Sequence, residues 1–152
     1  MAEIKLTNSA SIALVDDEDL PLVAQYQWRI HSDGYVVYQQ PNRKVLWLHR
    51  VILRLSDDDP RISDHKDGNR LDNRKSNLRP ATHAQNGINR GPNNAPKTSK
   101  FKGVSWYSRD SKWRAQLRRK NLGYFVDEIQ AAKVYNEAAL ARFGEFAKLN
   151  PV

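Results

Sequence analysis

The residues best suited to chemistry lie between Asp64 and Asn86, where an acid, a histidine and an amide occur within one polar stretch. Hydrolysis of a phosphodiester requires a nucleophilic water, neutralisation of phosphate charge and help for the leaving oxygen. The imidazole of His65 can deprotonate water near neutral pH. A metal ion on a carboxylate and one amide can provide the other two functions, so the stretch has the residue types of a single-metal cutting site.

Cysteine usage restricts which metal such a site could hold. The chain has no cysteine, which excludes disulfides and cysteine-ligated zinc. Oxygen and imidazole ligands favour magnesium, calcium or manganese. Because magnesium keeps most of its waters, two protein ligands are enough. We therefore expect one Mg²⁺ or Mn²⁺ ion per site and no small-molecule cofactor.

The site residues need a bent hairpin and a helix to bring them together. Asp64 and His65 are neighbours, so their side chains would face opposite sides of a regular strand. A turn at Asp67-Gly68 supplies a bend directly after them. Asn77 is expected on the returning strand, where its amide can tie the intervening loop together. Asn86 is expected in a short helix, and a helix packed across the hairpin could bring it beside Asp64.

This pattern carries a family resemblance. The stretch from His49 to Asn89 resembles the HNH nucleases of the homing-endonuclease type. The matching segments are His49-Arg50, Asp64-His65-Lys66-Asp67-Gly68-Asn69, Asn77-Leu78-Arg79, and Thr82 with Asn86. The resemblance implies a ββα-metal unit in which His65 is the general base. It also implies Asp64 and Asn86 as metal ligands and Asn77 as the loop-stabilising asparagine.

Other histidines are weaker candidates. His49 and Arg50 match the upstream part of the motif, and His49 suits a structural or phosphate-contacting role better than that of a base. His83 is expected to be a solvent-exposed loop residue. The phrase Ala13 to Asp19, with Trp28 and the Gly34-Tyr35 hairpin, resembles the leader of phage-borne members.

The first part of the chain is predicted to be rich in short strands that form a meander, with a short helix starting at the acidic cluster Asp16 to Asp19. An Asp-Gly turn suits a hairpin, and the residues after the third meander strand have helical apolar spacing. The predicted strands are Ile4–Leu6, Ser11–Val15, Gln27–Ile30, Tyr35–Tyr38 and Lys44–His49, followed by a helical Arg50–Leu55.

The last third of the chain is predicted to form three strands and one helix. The strands are Phe101–Trp106, Lys112–Arg118 and Leu122–Phe125, with turns at Arg109–Ser111 and Arg119–Asn121. The helix runs from an N-cap at Asp127 to Phe143, with Gly144 just past its end. Its predicted apolar stripe comprises Ile129, Ala132, Tyr135, Ala139 and Phe143.

This second module is basic and interleaved with aromatic residues. Strand alternation would put Lys112, Arg114, Gln116 and Arg118 on one face, and Trp113, Ala115 and Leu117 against the helix. Arginine and glutamine can read guanine and adenine in the major groove.

The module resembles the plant ethylene-response-factor (Apetala-type) DNA-binding domain over nearly all of residues 100 to 151. Segments such as Lys112–Arg118 and Ala131–Ala139 carry the resemblance. The likeness implies DNA contacts from Lys102, Ser105, Tyr107, Arg114, Gln116, Arg118 and Arg119. Ser105 and Asn121 depart from the plant pattern, so a target sequence is not implied.

Overall charge agrees with a polyanionic partner. Lys and Arg total 25 against 17 Asp and Glu, a formal net charge of +8, and the pI is near 9.8. There is no long apolar run and no signal peptide pattern, so we expect a cytoplasmic protein, in the host cell if phage-encoded, without a membrane partner.

Together these patterns predict an α+β chain with two domains. A nuclease domain would span residues 1–90, with its ββα-metal core at about 58–90, followed by a linker at 91–98 and a DNA-binding domain at 99–152. The predicted function is a metal-dependent endonuclease acting on duplex DNA, a site-preferring, monomeric nickase of homing type. Two alternatives are a non-catalytic, sequence-specific DNA-binding regulator and, less well supported, an RNA-binding protein.

Overall fold

The chain divides between Asn86 and Gly87 into two units that mix strands and helices, as the α+β prediction requires. The computed structural model describes residues 1–89 and 98–152. The predicted linker at 91–98 falls outside the described residues except for Thr98, and the predicted boundary at residue 90 falls outside them too. No helix in the described parts of the chain is both long and apolar enough to cross a membrane.

The first unit begins with small antiparallel sheets. Strands β1 (Ala2–Lys5) and β2 (Ile12–Val15) pair with each other, and a 3-10 helix (Asp17–Asp19) leads into the short helix α1 (Leu20–Val23). Strands β3 (Arg29–Ile30), β4 (Val36–Gln39) and β5 (Val45–Trp47) form the predicted meander in sequence order. The turn before β4 contains Gly34 at a φ of 82°, a conformation that suits glycine.

Helix α2 (Leu48–Ile52) corrects one prediction. The third meander strand was expected to continue to His49, but it stops at Trp47. Leu48 and Ile52 stand one helical turn apart and are 0% and 2% exposed, so the helix turns both side chains into the core. His49 therefore lies on a helix and not on a strand.

A hairpin and a helix follow. Strand β6 (Ile62–His65) pairs antiparallel with β7 (Leu78–Ala81), with Asp64 opposite Arg79 and His65 opposite Leu78. Helix α3 (His83–Asn89) starts two residues after β7 and crosses the boundary between the units. The Thr82 hydroxyl accepts from the Gln85 amide at 3.2 Å, and the Gln85 side chain accepts from the Thr82 amide at 2.8 Å. This reciprocal cap fixes the start of the helix that carries Asn86.

The core of the first unit forms around Trp28, which is 1% exposed and donates its indole N–H to the Val23 carbonyl at 2.8 Å. Leu78 of β7 packs into the same cluster, so the β6–β7 hairpin is anchored to the core. The hairpin loop is also tied to β2, because Leu14 exchanges backbone hydrogen bonds with Leu71 and Asn73, both at 2.8 Å.

The second unit consists of a three-stranded sheet and a helix. Strands β8 (Val104–Tyr107), β9 (Lys112–Leu117) and β10 (Lys120–Phe125) are antiparallel, with β9 in the centre. Helix α4 (Glu128–Phe143) begins after Asp127, whose carboxylate accepts hydrogen bonds from two backbone amides. Gly144 caps its C-terminus and begins a 3-10 helix (Gly144–Phe146). The predicted helix and both of its terminal residues are confirmed.

Several details of this unit differ from the prediction, and β8 starts at Val104 and not at Phe101. Strand β10 starts at Lys120, two residues before the predicted start, which leaves Arg118 and Arg119 as the turn. Ile129 is 47% exposed and does not belong to the buried stripe, whereas Ala131 and Ala132 are both 0% exposed. The alanines allow α4 to lie close to Ala115 of β9, and Ile129 lies outside that line of contact.

Candidate active site and nucleic-acid interface

His65 closes strand β6 and is 4% exposed. Its Nε2 lies 3.3 Å from Oδ1 of Asn73, in the loop that connects β6 to β7. The backbone turns directly after it, because the Gly68 amide donates to the His65 carbonyl at 2.9 Å and Gly68 has a φ of 85°. The Asp67-Gly68 bend therefore lies where the sequence predicted it.

Two further rings surround the His65 imidazole. The rings of His49 and Tyr35 lie with their centroids 5.6 and 5.8 Å from it, and 5.1 Å from each other. Trp47 stacks on His49 at 5.8 Å, and the Arg70 guanidinium lies 4.5 Å from the centre of the Tyr35 ring. The structure thus brings the secondary candidate His49 next to His65, within a cluster of aromatic side chains.

Burial controls the protonation of both histidines. Burial, followed by the charges of His65 and Arg50, lowers the pKa of His49 to about 3. Burial also lowers the pKa of His65, and the hydrogen bond with Asn73 and the nearby carboxylates oppose that shift only in part. Both rings are therefore neutral at neutral pH, so His65 is able to accept a proton.

Asp64 has a different set of neighbours from His65. It is 3% exposed, and Nε and Nη2 of Arg79 bind its Oδ2 at 2.8 and 2.7 Å. Arg79 lies opposite Asp64 in the register of the hairpin, and its side chain is 9% exposed. Such a charge-assisted pair fixes the direction of the buried carboxylate.

Asn77 closes the loop between the strands from inside. Its Oδ1 accepts from the Asp67 amide at 3.1 Å, and its Nδ2 donates to the Asp72 carbonyl at 2.9 Å. Asn77 was expected on the returning strand but immediately precedes β7, because its backbone amide donates to the Arg74 carbonyl inside the loop. The side-chain geometry is the loop-tying arrangement that the sequence suggested.

Asn86 lies in the middle of α3 and is half-buried. Asn89, at the end of the same helix, is 9% exposed. His83 is exposed at the first position of α3, so it belongs to a helix and not to a loop as predicted. The chain order of β6, β7 and α3 places Asn86 on the element that directly follows the Asp64–His65 hairpin.

The Arg50 guanidinium donates hydrogen bonds to backbone carbonyl groups. The acceptors are the carbonyls of Arg61 at 2.9 Å, of Asp59 at 3.3 Å, and of Ser56. These bonds hold the segment that leads into β6 against α2. The structure therefore gives Arg50 a role in positioning the hairpin.

Sequence reasoning missed two residues that the structure places in direct contact with the site. Asn73 was included only as one residue of the polar stretch between Asp64 and Asn86, and Tyr35 only as part of a hairpin. The polar run Leu71 to Arg74 was a signal for a structured loop, but residue type alone does not show which amide reaches the imidazole. Tyr35 gave no signal, because only the tertiary structure brings its ring beside that of His65.

The donor chemistry fits a hard divalent cation. Within residues 1–89 and 98–152, no group of three or more His, Cys, Asp or Glu side chains is placed to hold a metal ion. A site with one carboxylate and one amide suits Mg²⁺ or Mn²⁺, which retain water ligands. Arg79 binds Oδ2 of Asp64, and a carboxylate has lone pairs for more than two partners. The residues present therefore fit such an ion.

In the second unit, several predicted contact residues share the sheet. Ser105 lies opposite Arg114 in the register, and the Arg114 guanidinium lies 3.5 Å from the Ser105 hydroxyl and 6.0 Å from the centre of the Tyr107 ring. Gln116 donates its side-chain amide to the Arg118 carbonyl at 2.8 Å. Lys102 is half-buried, and burial lowers the pKa of its ammonium group. Ser105, Tyr107 and Arg114 form one group on β8 and β9.

Arg118 is placed differently from the prediction. It does not continue the polar face of β9, because the strand ends at Leu117 and Arg118 adopts a φ of 55° in the turn. Its guanidinium lies 5.4 Å from the centre of the Phe143 ring on α4. Arg118 and Arg119 line an open cavity together with Leu117, Lys120 and Arg142.

Comparison with known proteins adds evidence of ancestry. A family model described as HNH endonuclease matches residues 58–88, which include β6, β7 and most of α3. The protein named uncharacterized HNH endonuclease L560, from Acanthamoeba polyphaga mimivirus, is 33% identical over 150 residues, which cover 93% of this chain and 76% of that protein. No solved structure matches this chain significantly.

Proposed function

We propose that this chain, which belongs to the HNH endonuclease family and is a hydrolase that cuts DNA, uses His65 as the general base of that reaction. One observation carries the proposal: a buried, neutral imidazole is held at the end of a strand beside a buried carboxylate. A neutral imidazole can take a proton from water as the water attacks phosphorus. The bond to Asn73 and the surrounding rings hold the imidazole in position for that transfer.

HNH endonucleases generally use a divalent metal ion. We infer that Asp64 and Asn86 would hold it here, with Mg²⁺ or Mn²⁺ as the ion, in a ββα arrangement of β6, β7 and α3. The ion, when bound, neutralises charge on the phosphate and assists the leaving oxygen. Arg79 fixes the direction of the Asp64 carboxylate, and Asn77 fixes the loop that joins the two strands.

The second unit would hold the DNA. Ser105, Tyr107, Arg114 and Gln116 supply donors and an aromatic ring on one sheet, in the manner of an ethylene-response-factor domain. Lys102, Arg118 and Arg119 add positive charge around it. None of Arg114, Arg118 and Arg119 is ion-paired with an acid in the described residues, so these cations are available to phosphates.

The finer activity follows from having one cutting site. A single general base with one ion cuts one strand at a time, so the proposal is a monomeric nickase with site preference, of the homing type. The competing function is a DNA-binding regulator in which the first unit only adds contacts. Both functions require DNA binding by the basic sheet, but only the nuclease cuts a DNA strand.

A plasmid assay separates these functions. Purified full-length protein is incubated with supercoiled plasmid in Mg²⁺, in Mn²⁺ and in EDTA, and the products are resolved on agarose. The proposal predicts open-circular DNA with metal and none with EDTA. Linear DNA that appears without an open-circular precursor would show that the protein cuts both strands and does not nick. Intact plasmid under both metals, with DNA still bound, would support the regulator.

A further inference from the structure

We propose that Asn73 is a positioning residue that fixes which ring nitrogen of His65 carries the proton. The inference rests on the proposed role of His65 as general base. It assigns the hydrogen to Nε2 and the lone pair, which takes the proton from water, to Nδ1. Asn73 lies in the loop between β6 and β7 and is 0% exposed.

The orientation of the Asn73 amide is fixed by its other contacts. Its Nδ2 donates to the carbonyls of Arg70 and Leu71, both at 3.2 Å. Its backbone amide donates to the Leu14 carbonyl at 2.8 Å, which holds the residue against β2. Turning the amide over would place Oδ1 against two carbonyl oxygens, which only accept hydrogen bonds. Oδ1 is therefore the atom that faces His65.

This orientation decides the tautomer. Oδ1 of an asparagine only accepts, so the contact of 3.3 Å to Nε2 of His65 is a hydrogen bond only if Nε2 carries the hydrogen. A neutral imidazole has one N–H, which leaves the lone pair on Nδ1. Tyr35 and His49 flank the ring, and a ring turned over would present a carbon to Oδ1 and lose the bond.

The direct test is the tautomer itself, read by long-range ¹H–¹⁵N correlation NMR on the metal-free full chain. The His65 signals are assigned by their absence in His65→Gln. We expect wild-type His65 to be the Nε2–H tautomer, and Asn73→Leu, which removes the acceptor, to convert it largely to a mixture of both forms. Exposed His83 serves as an internal control whose signals stay unchanged.

A second readout separates positioning from binding. Asn73→Leu should lower kcat for plasmid nicking by at least about tenfold, in the range of an orienting contact, while its affinity for duplex DNA stays at the wild-type level. A wild-type His65 that is the Nδ1–H form would overturn the inference even if nicking occurs. The proposed function fails separately, if His65→Gln still nicks at the wild-type rate.

A different observation carries a second inference, which concerns the open cavity of about 520 Å³ next to the β9–β10 turn. Four of its lining residues are cationic, and none of the four is ion-paired with a described acid. The four cations are Arg118, Arg119, Lys120 and Arg142. The guanidinium groups of Arg118 and Arg142 lie 5.4 and 5.8 Å from the centre of one ring, that of Phe143.

We infer that this cavity binds a backbone phosphate of duplex DNA, and that Arg142 of α4 is a DNA contact. Four like charges that line one cavity repel each other, and a bound phosphate relieves that repulsion. The inference extends the proposed DNA interface from the sheet to the end of α4, and so rests on that proposal.

Salt-dependent binding of a mixed-sequence duplex tests the second inference. Arg142→Gln should weaken binding several-fold and reduce the slope of log affinity against log salt by about 0.9, the value of one phosphate contact. The control is Lys133→Gln, an exposed charge on the opposite side of α4. Equal effects of the two variants would overturn it. A wild-type chain that does not bind the duplex would overturn the DNA interface itself.

Discussion

At the residue scale, the ion pair of Asp64 and Arg79 shows how a buried candidate metal ligand is paired with an opposite charge. Removal of the arginine would leave a buried carboxylate without its counter-charge. Arg79→Met should therefore lower the free energy of unfolding by about 3–5 kcal/mol. Urea denaturation of the full chain, followed by tryptophan fluorescence, measures this loss.

The matched control is the pair of Arg61 and Asp59, whose side chains lie 2.7 Å apart and in which the Arg61 side chain is 55% exposed. Arg61→Met should leave the unfolding midpoint unchanged, because solvent screens that pair. If Arg79→Met were as stable as Arg61→Met, the buried pair would have no structural role.

His49 couples stability to pH. Its pKa is about 3 in the folded chain and about 6.5 when unfolded, so the unfolded chain binds more protons as the pH falls. The stability is therefore complete above the unfolded pKa and declines below it. We expect a loss of about 1 kcal/mol from this group between about pH 7.5 and about pH 5.5. His65 contributes in the same direction, because its pKa is lowered too.

Unfolding in urea at these two pH values tests the coupling. His49→Gln should show a smaller loss on acidification than the wild type, whereas His83→Gln, which changes an exposed histidine, should match the wild type. An identical pH dependence in all three proteins would show that His49 is not the titrating group.

The sequence singled out Asp64, His65, Asn77 and Asn86 as candidates because their types and spacing suit the chemistry. It did not identify Asn73 or Tyr35, because their roles depend on side-chain directions within a folded loop and on the packing of the Tyr35 ring against His65. Arg79 was quoted only as part of a motif, and its partner became clear only from the register of the hairpin.

At the element scale, turns and caps were predictable while exact edges were not. The Asp127 cap and the Gly144 end of α4 follow from local chemistry, and both are found as predicted. Strand β5 and helix α2 were misjudged at His49, because a continuous apolar run fits both a strand and a buried helix. Ile129 was misassigned because the alanines, and not the largest side chain, decide which face of α4 packs.

Gly103 tests the packing of α4 on the sheet. A methyl group there would lie 2.1 Å from the Tyr135 ring and 2.7 Å from the Gln116 carbonyl, at a backbone φ of 74°. Gly103→Ala should therefore destabilise the second unit by more than about 2 kcal/mol. Differential scanning calorimetry of the full chain measures the effect as a lower Tm for that unit.

Gly87 provides the matching control, because an added methyl group would meet no atom within 4 Å and the residue lies inside α3. Gly87→Ala should leave stability unchanged or raise it by about 0.5–1 kcal/mol. Equal Tm values for the two alanine variants would contradict the close approach of Tyr135 to Gly103.

At the scale of the whole molecule, a net charge of +8 predicts binding dominated by phosphate contacts. With the six to ten contacts typical of such an interface, affinity for duplex DNA should fall by about a thousandfold between about 50 and 200 mM salt. Fluorescence anisotropy with duplex DNA, and with duplex RNA as competitor, measures this dependence. Salt-insensitive binding, or preference for RNA, would contradict the proposed interface.

We propose that His65 acts as the general base of DNA cleavage while the second unit binds the DNA. The most direct measurement compares wild type and His65→Ala, with binding and nicking of one plasmid substrate followed in parallel in Mg²⁺. We predict that His65→Ala binds the DNA with wild-type affinity and nicks it at least about a hundredfold more slowly, in the range of a lost general base. Nicking by His65→Ala at the wild-type rate would contradict the account.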